Sequence, residues 1–174
     1  MGTAVVFVGQ YGISIDSKDR ILVPMPVRKA IDPTLQERSL FMVVGTNEVP
    51  WFYTEDTFLS MVSQLPSELI PSNEQTEYDR TFAFCEKLDI DNQGRMSLYL
   101  ESLSWAKFTP GCKSFVLLGC RGHLELHDKV LWEMERDKFA SRLMDISEKA
   151  RKCVPRNSPS AIGSTPPPEQ SLRS

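Results

Sequence analysis

Apolar runs separated by short polar turns recur along this chain, and the same order of runs occurs twice. The first stretch reads ISIDSKDRILVPMPVRKAIDP, then SLFMVVG and WFYTEDTF. The second reads LDIDNQGRMSLYLESLSWAKF, then SFVLLGC and LELHDKVLW. Asp16 matches Asp91 and Arg20 matches Arg95. Three similar blocks in the same order predict an internal duplication.

Each copy begins with a strand–turn–strand pattern. An apolar run leads into Asp-x-x-x-Arg, residues 17–19 and 92–94 inside the two motifs are turn formers, and a second apolar run follows. In the first copy Pro24 and Pro26 end the strand, and Pro26 is suited to open a short helix through Ile31. The segments SLFMVV and WFY predict two further strands.

Helices are predicted between and after the two copies. Thr54 is a suitable N-cap for a helix with apolar residues at helical spacing through Leu65. A second helix is predicted near residues 74–84. Beyond the second copy, Asp128 is expected to cap one long helix that runs to about Lys152 with an apolar face.

These patterns divide the chain into five parts. The predicted bounds are 7–58 for the first repeat, 59–87 for a helical linker, 88–128 for the second repeat, 129–152 for a C-terminal helix and 153–174 for a disordered tail rich in Pro and Ser. A repeat of this size buries little core alone. We therefore expect a β-rich α+β protein in which the two repeats intertwine or pack face to face.

Composition is that of an ordinary folded protein, with 41% hydrophobic and 25% charged residues. No apolar run reaches the length of a membrane span, and the N-terminal MGTAVVFVGQ lacks the positive region of a signal peptide. We therefore expect a soluble cytoplasmic protein. Its cysteines, which lack disulfide-framework spacing, are expected to be reduced: Cys85, Cys112, Cys120 and Cys153.

The charge distribution changes this picture locally. A net charge of −3 and a pI of about 5.5 argue against a strongly basic nucleic-acid coat protein. Positive charge is nevertheless concentrated between residues 17 and 29, where Lys18, Arg20, Arg28 and Lys29 face one acidic residue, Asp19. An arginine fork beside a turn could bind phosphate or a guanine edge. The alternative is a simple Asp–Arg ion pair that stabilises the turn.

Two Asp-x-x-x-Arg elements, each at the same place in a repeated block, closely resemble the two halves of the MraZ family. The resemblance runs from about Phe7 to the helix after Trp132. That family has a duplicated swapped-hairpin fold related to AbrB-type transcription factors. The resemblance therefore implies two tandem swapped-hairpin, AbrB-like repeats that form an intertwined barrel-like core, with linking helices and a C-terminal helix.

A function is implied by the same resemblance. Members of the family are bacterial transcriptional regulators that form ring-like oligomers and bind short direct repeats in double-stranded DNA. The usual target lies ahead of their own gene in the division and cell-wall cluster. The resemblance thus implies a cytoplasmic, nucleoid-associated regulator whose partners are promoter DNA and its own copies. It implies no cofactor, no small-molecule substrate and no membrane.

Residue roles follow when the family signature is carried across. The residues expected to contact phosphates or bases are basic and lie in or just after the two turns: Lys18, Arg20, Arg28, Lys29 and Arg95. Asp16 and Asp91 are expected to stabilise the turns, since a carboxylate that faces phosphate is repelled.

The chain departs from the family pattern in three places. Asp19 stands where the family usually has glycine, and Tyr99 and Leu103 stand at the positions that match Pro24 and Arg28. We therefore expect the first copy to dominate DNA contact. A competing hypothesis is an oligomeric protein-interaction scaffold of the same fold, with weakened or lost DNA binding.

The segment GHLELH is a second concentration of polar side chains. On a strand, His123, Glu125 and His127 would share one face while Leu124 and Leu126 point to the other. A metal site needs further ligands at suitable spacing, so an exposed strand face is the favoured interpretation and no metal ligand is predicted.

Catalytic and nucleotide-binding motifs are not found. The sequence has no G-x-S-x-G, no G-x-x-x-x-G-K and no G-x-G-x-x-G, so an enzyme is not expected. Trp51, Phe52 and Tyr53 could stack on single-stranded bases, but packing in the core is the favoured interpretation.

Overall fold

The structure, a computed structural model, describes residues 5–34, 39–66, 69 and 71–153, and only the backbone of residue 153. The predicted disordered tail beyond residue 153 lies outside these residues. The chain divides into one unit that ends at Asp137 and a second that begins at Lys138.

The strands are β1 (Phe7–Ser14), β2 (Arg20–Leu22), β3 (Ser39–Val44), β4 (Pro50–Thr54), β5 (Glu86–Asp89), β6 (Arg95–Ser97), β7 (Ser114–Arg121) and β8 (Leu124–Asp128). The helices are α1 (Met25–Ile31), α2 (Glu55–Val62), α3 (Asn73–Arg80), α4 (Lys129–Ser141) and α5 (Leu143–Cys153).

Six strands form one antiparallel sheet in the order β1-β7-β8-β4-β3-β5. The hairpin β3–β4 comes from the first copy and the hairpin β7–β8 from the second. Each copy also places its leading strand beside the hairpin of the other, because β1 pairs with β7 and β5 pairs with β3. The first and second copies therefore build one sheet together, and neither forms a separate domain.

The two remaining strands, β2 and β6, pair with each other as a two-stranded antiparallel ribbon. Isolated bridges join Ile15 to Ile21 and Ile90 to Met96. These bridges connect the ends of the sheet to the ribbon, so strand pairing runs in a closed circuit through all eight strands. The strand–turn–strand pattern of the sequence is present, but the strand after each turn finds its main partner in the other copy.

The core lies inside this circuit and draws on both copies. On several strands, period-two alternation directs one face inward. On β8, for example, Leu124 and Leu126 are fully buried between half-buried polar neighbours. The largest fully buried side chains are Phe7, Ile21, Val23, Leu40, Met42, Phe52, Met96, Leu98, Leu103, Phe115, Leu124 and Leu126.

The linker helices follow the predicted signals. Thr54 accepts a hydrogen bond from the backbone N–H of Thr57 at the start of α2, which confirms the predicted N-cap. The ring of Phe58 on α2 stacks on that of Phe41 on β3, with centroids 4.3 Å apart. Phe82, in the short 3-10 segment after α3, meets Phe58 edge-on. These aromatic contacts hold the linker against the sheet.

The prediction of one long C-terminal helix was wrong. Asp128 does begin α4, since its Oδ1 accepts hydrogen bonds from the backbone N–H groups of Val130 and Leu131. The single helix expected over 129–152 is however two helices. Ser141 donates its hydroxyl hydrogen to the Lys138 carbonyl, and the next backbone N–H bonds to Phe139 instead. A serine hydroxyl that competes for a helix carbonyl explains this interruption.

The observed class is mixed α and β with an antiparallel sheet, as expected for an α+β protein. Within the described ranges, none of the helices has both the length and the apolar character that crossing a bilayer requires. Cys85, Cys112 and Cys120 are free thiols.

Candidate nucleic-acid interface

The first Asp-x-x-x-Arg turn is closed by its own aspartate. Asp16 Oδ1 accepts hydrogen bonds from the backbone N–H groups of Lys18 (2.8 Å) and Arg20 (3.0 Å). Asp16 Oδ2 accepts two more from the Arg20 guanidinium, at 3.0 Å from Nε and 2.8 Å from Nη2. One carboxylate thus fixes both the turn backbone and the orientation of the arginine.

These contacts favour the ionised form of Asp16. The side-chain hydrogen bonds from Arg20 are the largest cause, and they lower the pKa of Asp16 from 3.8 to about 2. The turn therefore carries a carboxylate and a guanidinium as a charged pair throughout the physiological pH range.

The second turn repeats the backbone pattern with a looser arginine. Asp91 Oδ1 accepts from the backbone N–H groups of Gln93 and Arg95, both at 2.8 Å. Arg95 Nε lies 3.5 Å from Asp91 Oδ2, which is close enough for an ion pair. That nitrogen is buried and has no hydrogen-bond partner in the part of the chain that the structure describes. The same motif thus holds its arginine less tightly in the second copy.

Reciprocal hydrogen bonds lock the two turns together. The Val23 N–H donates to the Gly94 carbonyl at 2.9 Å, and the Leu98 N–H donates to the Asp19 carbonyl at 2.7 Å. The charge of Arg20 also contributes to lowering the pKa of Asp91, after the larger effect of the Arg95 backbone N–H. Both motifs therefore belong to one surface.

That surface is the outer face of the β2–β6 ribbon. Ile21 and Met96 are opposite each other and buried in the core, so the residues beside them point outward. Arg20 pairs with Ser97, and Leu22 pairs with Arg95. The outer face consequently presents two arginines at diagonal positions. We call Arg20, Leu22, Arg95 and Ser97 the ribbon face.

Arg28 adds a third arginine beside the ribbon face. It belongs to α1 of the first copy, yet its guanidinium packs on Gly94 in the second turn, where a Cβ would overlap it. Its buried Nε, like that of Arg95, has no hydrogen-bond partner among the described residues. Two arginines whose buried Nε atoms are unsatisfied among the described residues thus lie around one turn.

The other predicted contact residues are solvent-exposed. Lys18 lies in the first turn, and Lys29 lies on α1. Asp19 has a φ of 53° and the matching Gly94 has a φ of 80°. Both turns therefore need a left-handed residue, which explains why glycine suits this position and why aspartate is tolerated there.

Sequence reasoning missed two parts of this surface. It did not include Leu22, whose side chain is exposed, or Ser97 opposite Arg20. It also assigned Arg28 to the first turn only. Alternation of Ile21 with Leu22 could have identified the outward face, but the pairing of β2 with β6 was needed to join the copies.

The departures in the second copy have different surroundings. Leu103, at the position that matches Arg28, is buried in the core. Tyr99, at the position that matches Pro24, is exposed. The second copy therefore supplies no arginine equivalent to Arg28, while the first copy supplies one to the second turn.

Within the GHLELH segment, β8 places Glu125 and His127 on the face opposite the buried leucines, and His123 lies just before the strand. The expectation that this face is exposed was wrong, because the three side chains are only 17–21% exposed. Trp51 covers His123 at a ring distance of 4.1 Å. Tyr53, like Phe52, is buried, as expected of core residues.

Comparison with known proteins bears on most of the chain. No family model matches it. Curated proteins do match, each described as transcriptional regulator MraZ. The proteins of Finegoldia magna and Pediococcus pentosaceus are 23% and 28% identical over 144 and 147 residues. The Natranaerobius thermophilus protein is 26% identical over 148 residues. Each comparison covers 82% of this chain and 95% of the relative.

The chain is similar to MraZ transcriptional regulators over most of its length. The match extends over nearly the full length of these MraZ proteins and is not confined to one short motif. This similarity agrees with the resemblance carried by the two Asp-x-x-x-Arg turns.

Proposed function

We propose that this protein is a sequence-specific DNA-binding transcriptional regulator, and that the ribbon face with Arg28 is its DNA contact. The observation that carries the proposal is the meeting of both Asp-x-x-x-Arg turns on the ribbon β2–β6. Relatives described as transcriptional regulators support the same conclusion.

The shape of the ribbon suits the DNA major groove. That groove admits a two-stranded β-ribbon, and arginine pairs with guanine through a planar fork. Arg20 and Arg95 stand on the outer face of such a ribbon, and Asp16 holds the first of them in a fixed orientation. Leu22, exposed between them, would offer an apolar contact to a thymine methyl group.

The surrounding charges divide into two roles. Lys18, Lys29 and Arg28 would bind backbone phosphates. Asp16 and Asp91 would stabilise the turns, because their oxygens already accept backbone hydrogen bonds. Each phosphate bound would release counterions, so affinity should fall as salt rises.

The proposal extends to assembly and target. A single ribbon face carries little net positive charge, so several copies on repeated DNA sites would gain affinity through avidity. We therefore propose a ring-like homo-oligomer that binds short direct repeats upstream of its own gene in the division and cell-wall cluster, in the cytoplasm and associated with the nucleoid. The leading strand of each repeat (7–58 and 88–128) pairs with the hairpin of the other repeat. This exchange would be the swapped-hairpin arrangement of AbrB-like proteins.

The test is binding of purified protein to the DNA upstream of its gene. Fluorescence anisotropy would compare that DNA with a version in which the direct repeats are scrambled, across a salt series. We expect tighter binding to the intact repeats and weaker binding at high salt. Equal affinity for both DNAs would contradict sequence specificity.

A protein-interaction scaffold is the second candidate. Asp19 adds a negative charge beside Lys18 and Arg20, and Leu103 replaces a basic residue with a core residue. A folded protein that binds no DNA at low salt would support this alternative and reject the regulator.

A further inference from the structure

Cys120 and His123, whose side chains are both of types that bind metal ions, face each other across the β7–β8 hairpin. The backbone N–H of Cys120 donates to the His123 carbonyl at 2.9 Å, so Arg121 and Gly122 form a two-residue turn between Cys120 and His123. Arg121 has a φ of 63°, the left-handed conformation that tight hairpin turns use. Directly opposed positions on a hairpin bring side chains within contact distance on one face.

Glu125 joins this pair because it lies two residues after His123 and so shares its strand face. The Sγ of Cys120, an imidazole nitrogen of His123 and a carboxylate oxygen of Glu125 all lie within 4.8 Å of one another. His123 Nε2 is 3.1 Å from Glu125 Oε1. A tetrahedral zinc site places its ligand atoms roughly 3.5 Å apart. Small side-chain shifts would therefore bring these three atoms onto one ion.

We propose that Cys120, His123 and Glu125 form a divalent transition-metal site that takes Zn²⁺. Sulfur, imidazole and carboxylate are all zinc ligands, and a water molecule would complete four-coordination. The site lies on the β7–β8 hairpin, away from the ribbon face, and is independent of the proposed DNA contact.

Neighbouring side chains hold two of the three proposed ligands, Glu125 and His123, in place. His127 Nε2 lies 2.9 Å from Glu125 Oε2, the oxygen that faces away from His123. Hydrogen bonds of this kind orient metal-ligating carboxylates. Trp51 stacks on the His123 ring and restricts its rotation.

Charge and protons balance at the proposed site. Glu125 is ionised, since hydrogen bonds from His127 and His123 lower its pKa. Burial and the Glu125 charge raise the pKa of Cys120 to about 11, so the thiol is protonated when no metal is bound. On binding, the thiol proton leaves to solvent, and His123 binds the ion through a ring nitrogen that carries no proton. Two anionic ligands then neutralise Zn²⁺.

The test uses full-length protein without an affinity tag, with Zn²⁺ and Co²⁺ as probes. We expect one equivalent of either metal per chain, and Co²⁺ should show a near-ultraviolet thiolate charge-transfer band. Binding should release about one proton, because the thiol must ionise. Zn²⁺ should also raise the Tm, since a ligand that binds only the folded state stabilises it.

Variants assign the site. Cys120→Ser should lose the charge-transfer band and the Tm shift, while the control Cys112→Ser should keep both. His127→Ala should weaken Zn²⁺ binding about tenfold to a hundredfold, as expected for a residue that orients a ligand. Glu125→Gln serves if Cys120→Ser fails to fold. Wild-type protein that binds no metal, or a thiolate–cobalt band that survives in folded Cys120→Ser, overturns the proposal.

Discussion

The two Asp-x-x-x-Arg turns match in sequence but differ in how each holds its arginine. Asp16 accepts two hydrogen bonds from the Arg20 guanidinium. The Nε of Arg95 lies 3.5 Å from Asp91 Oδ2 and makes no hydrogen bond among the described residues. Their backbone hydrogen bonds are the same, since each aspartate accepts from the backbone N–H of its own arginine. The difference therefore comes from the surroundings of each turn.

Those surroundings differ because of Arg28. Its guanidinium covers Gly94 in the second turn, while the matching Leu103 is in the core and leaves the first turn uncovered. Gly94 is consequently buried, whereas Asp19 is exposed. One replaced residue thus explains why the left-handed position must be glycine in one turn and accepts aspartate in the other.

The largest effect is expected from Gly94→Asp. The new side chain would occupy the space of the Arg28 guanidinium and would have to adopt a φ of 80°. We expect a loss of roughly 2 kcal/mol or more in the free energy of unfolding, measured by urea titration. The same residue is tolerated at position 19, so an unchanged midpoint in Gly94→Asp would mean that the two turns have equivalent surroundings.

Arg28→Leu would give the first copy the residue of the second. We expect DNA affinity to fall about tenfold, because a positive charge is lost from beside the ribbon face. Arg28→Lys keeps the charge but not the planar fork, so it should recover only part of the affinity. Wild-type DNA affinity in folded Arg28→Leu would remove Arg28 from the interface.

Asp19→Gly should make the first turn like the second. Relief of the left-handed aspartate should stabilise the protein by about 0.5–1 kcal/mol. Loss of the negative charge should also tighten DNA binding a few-fold at low salt. Asp19→Asn removes the charge but keeps a side chain, so it should tighten binding with little gain in stability. If Asn and Gly raise stability equally, backbone strain is not the cause.

The smallest predicted effect is a loss of stability at low pH. The folded pKa of Asp16, about 2, lies below its usual 3.8, so its ion pair stabilises the protein above about pH 4 and loses this effect as the pH falls toward 2. Asp16→Asn should therefore be less stable than wild type at pH 7, and the gap should close toward pH 2. Urea midpoints at several pH values measure this, and a pH-independent gap would contradict the linkage.

Local signals in the sequence predicted much of the fold. Thr54 and Asp128 identified helix starts, and the Asp-x-x-x-Arg spacing identified both turns. Strand partners were beyond such signals, because alternation shows which face of β2 is buried but not that β6 lies beside it. The break before α5 was missed because it depends on one hydroxyl bond of Ser141.

The candidate sites show the same limit. Arg20 and Arg95 were predicted from the motif, but their diagonal placement on one ribbon required the pairing of the two copies. Cys120 was not connected with His123 from spacing alone, because only the tight hairpin turn brings the two side chains together.

The central claim is that both turns contact the same DNA. The direct measurement is the affinity of Arg20→Ala, Arg95→Ala and the double variant for the upstream repeats, with Arg80→Ala on α3 as the matched control. We predict that each single change weakens binding by about 1–3 kcal/mol, that the double variant is weaker than either, and that the control is unchanged. Wild-type affinity in a correctly folded double variant would contradict the account.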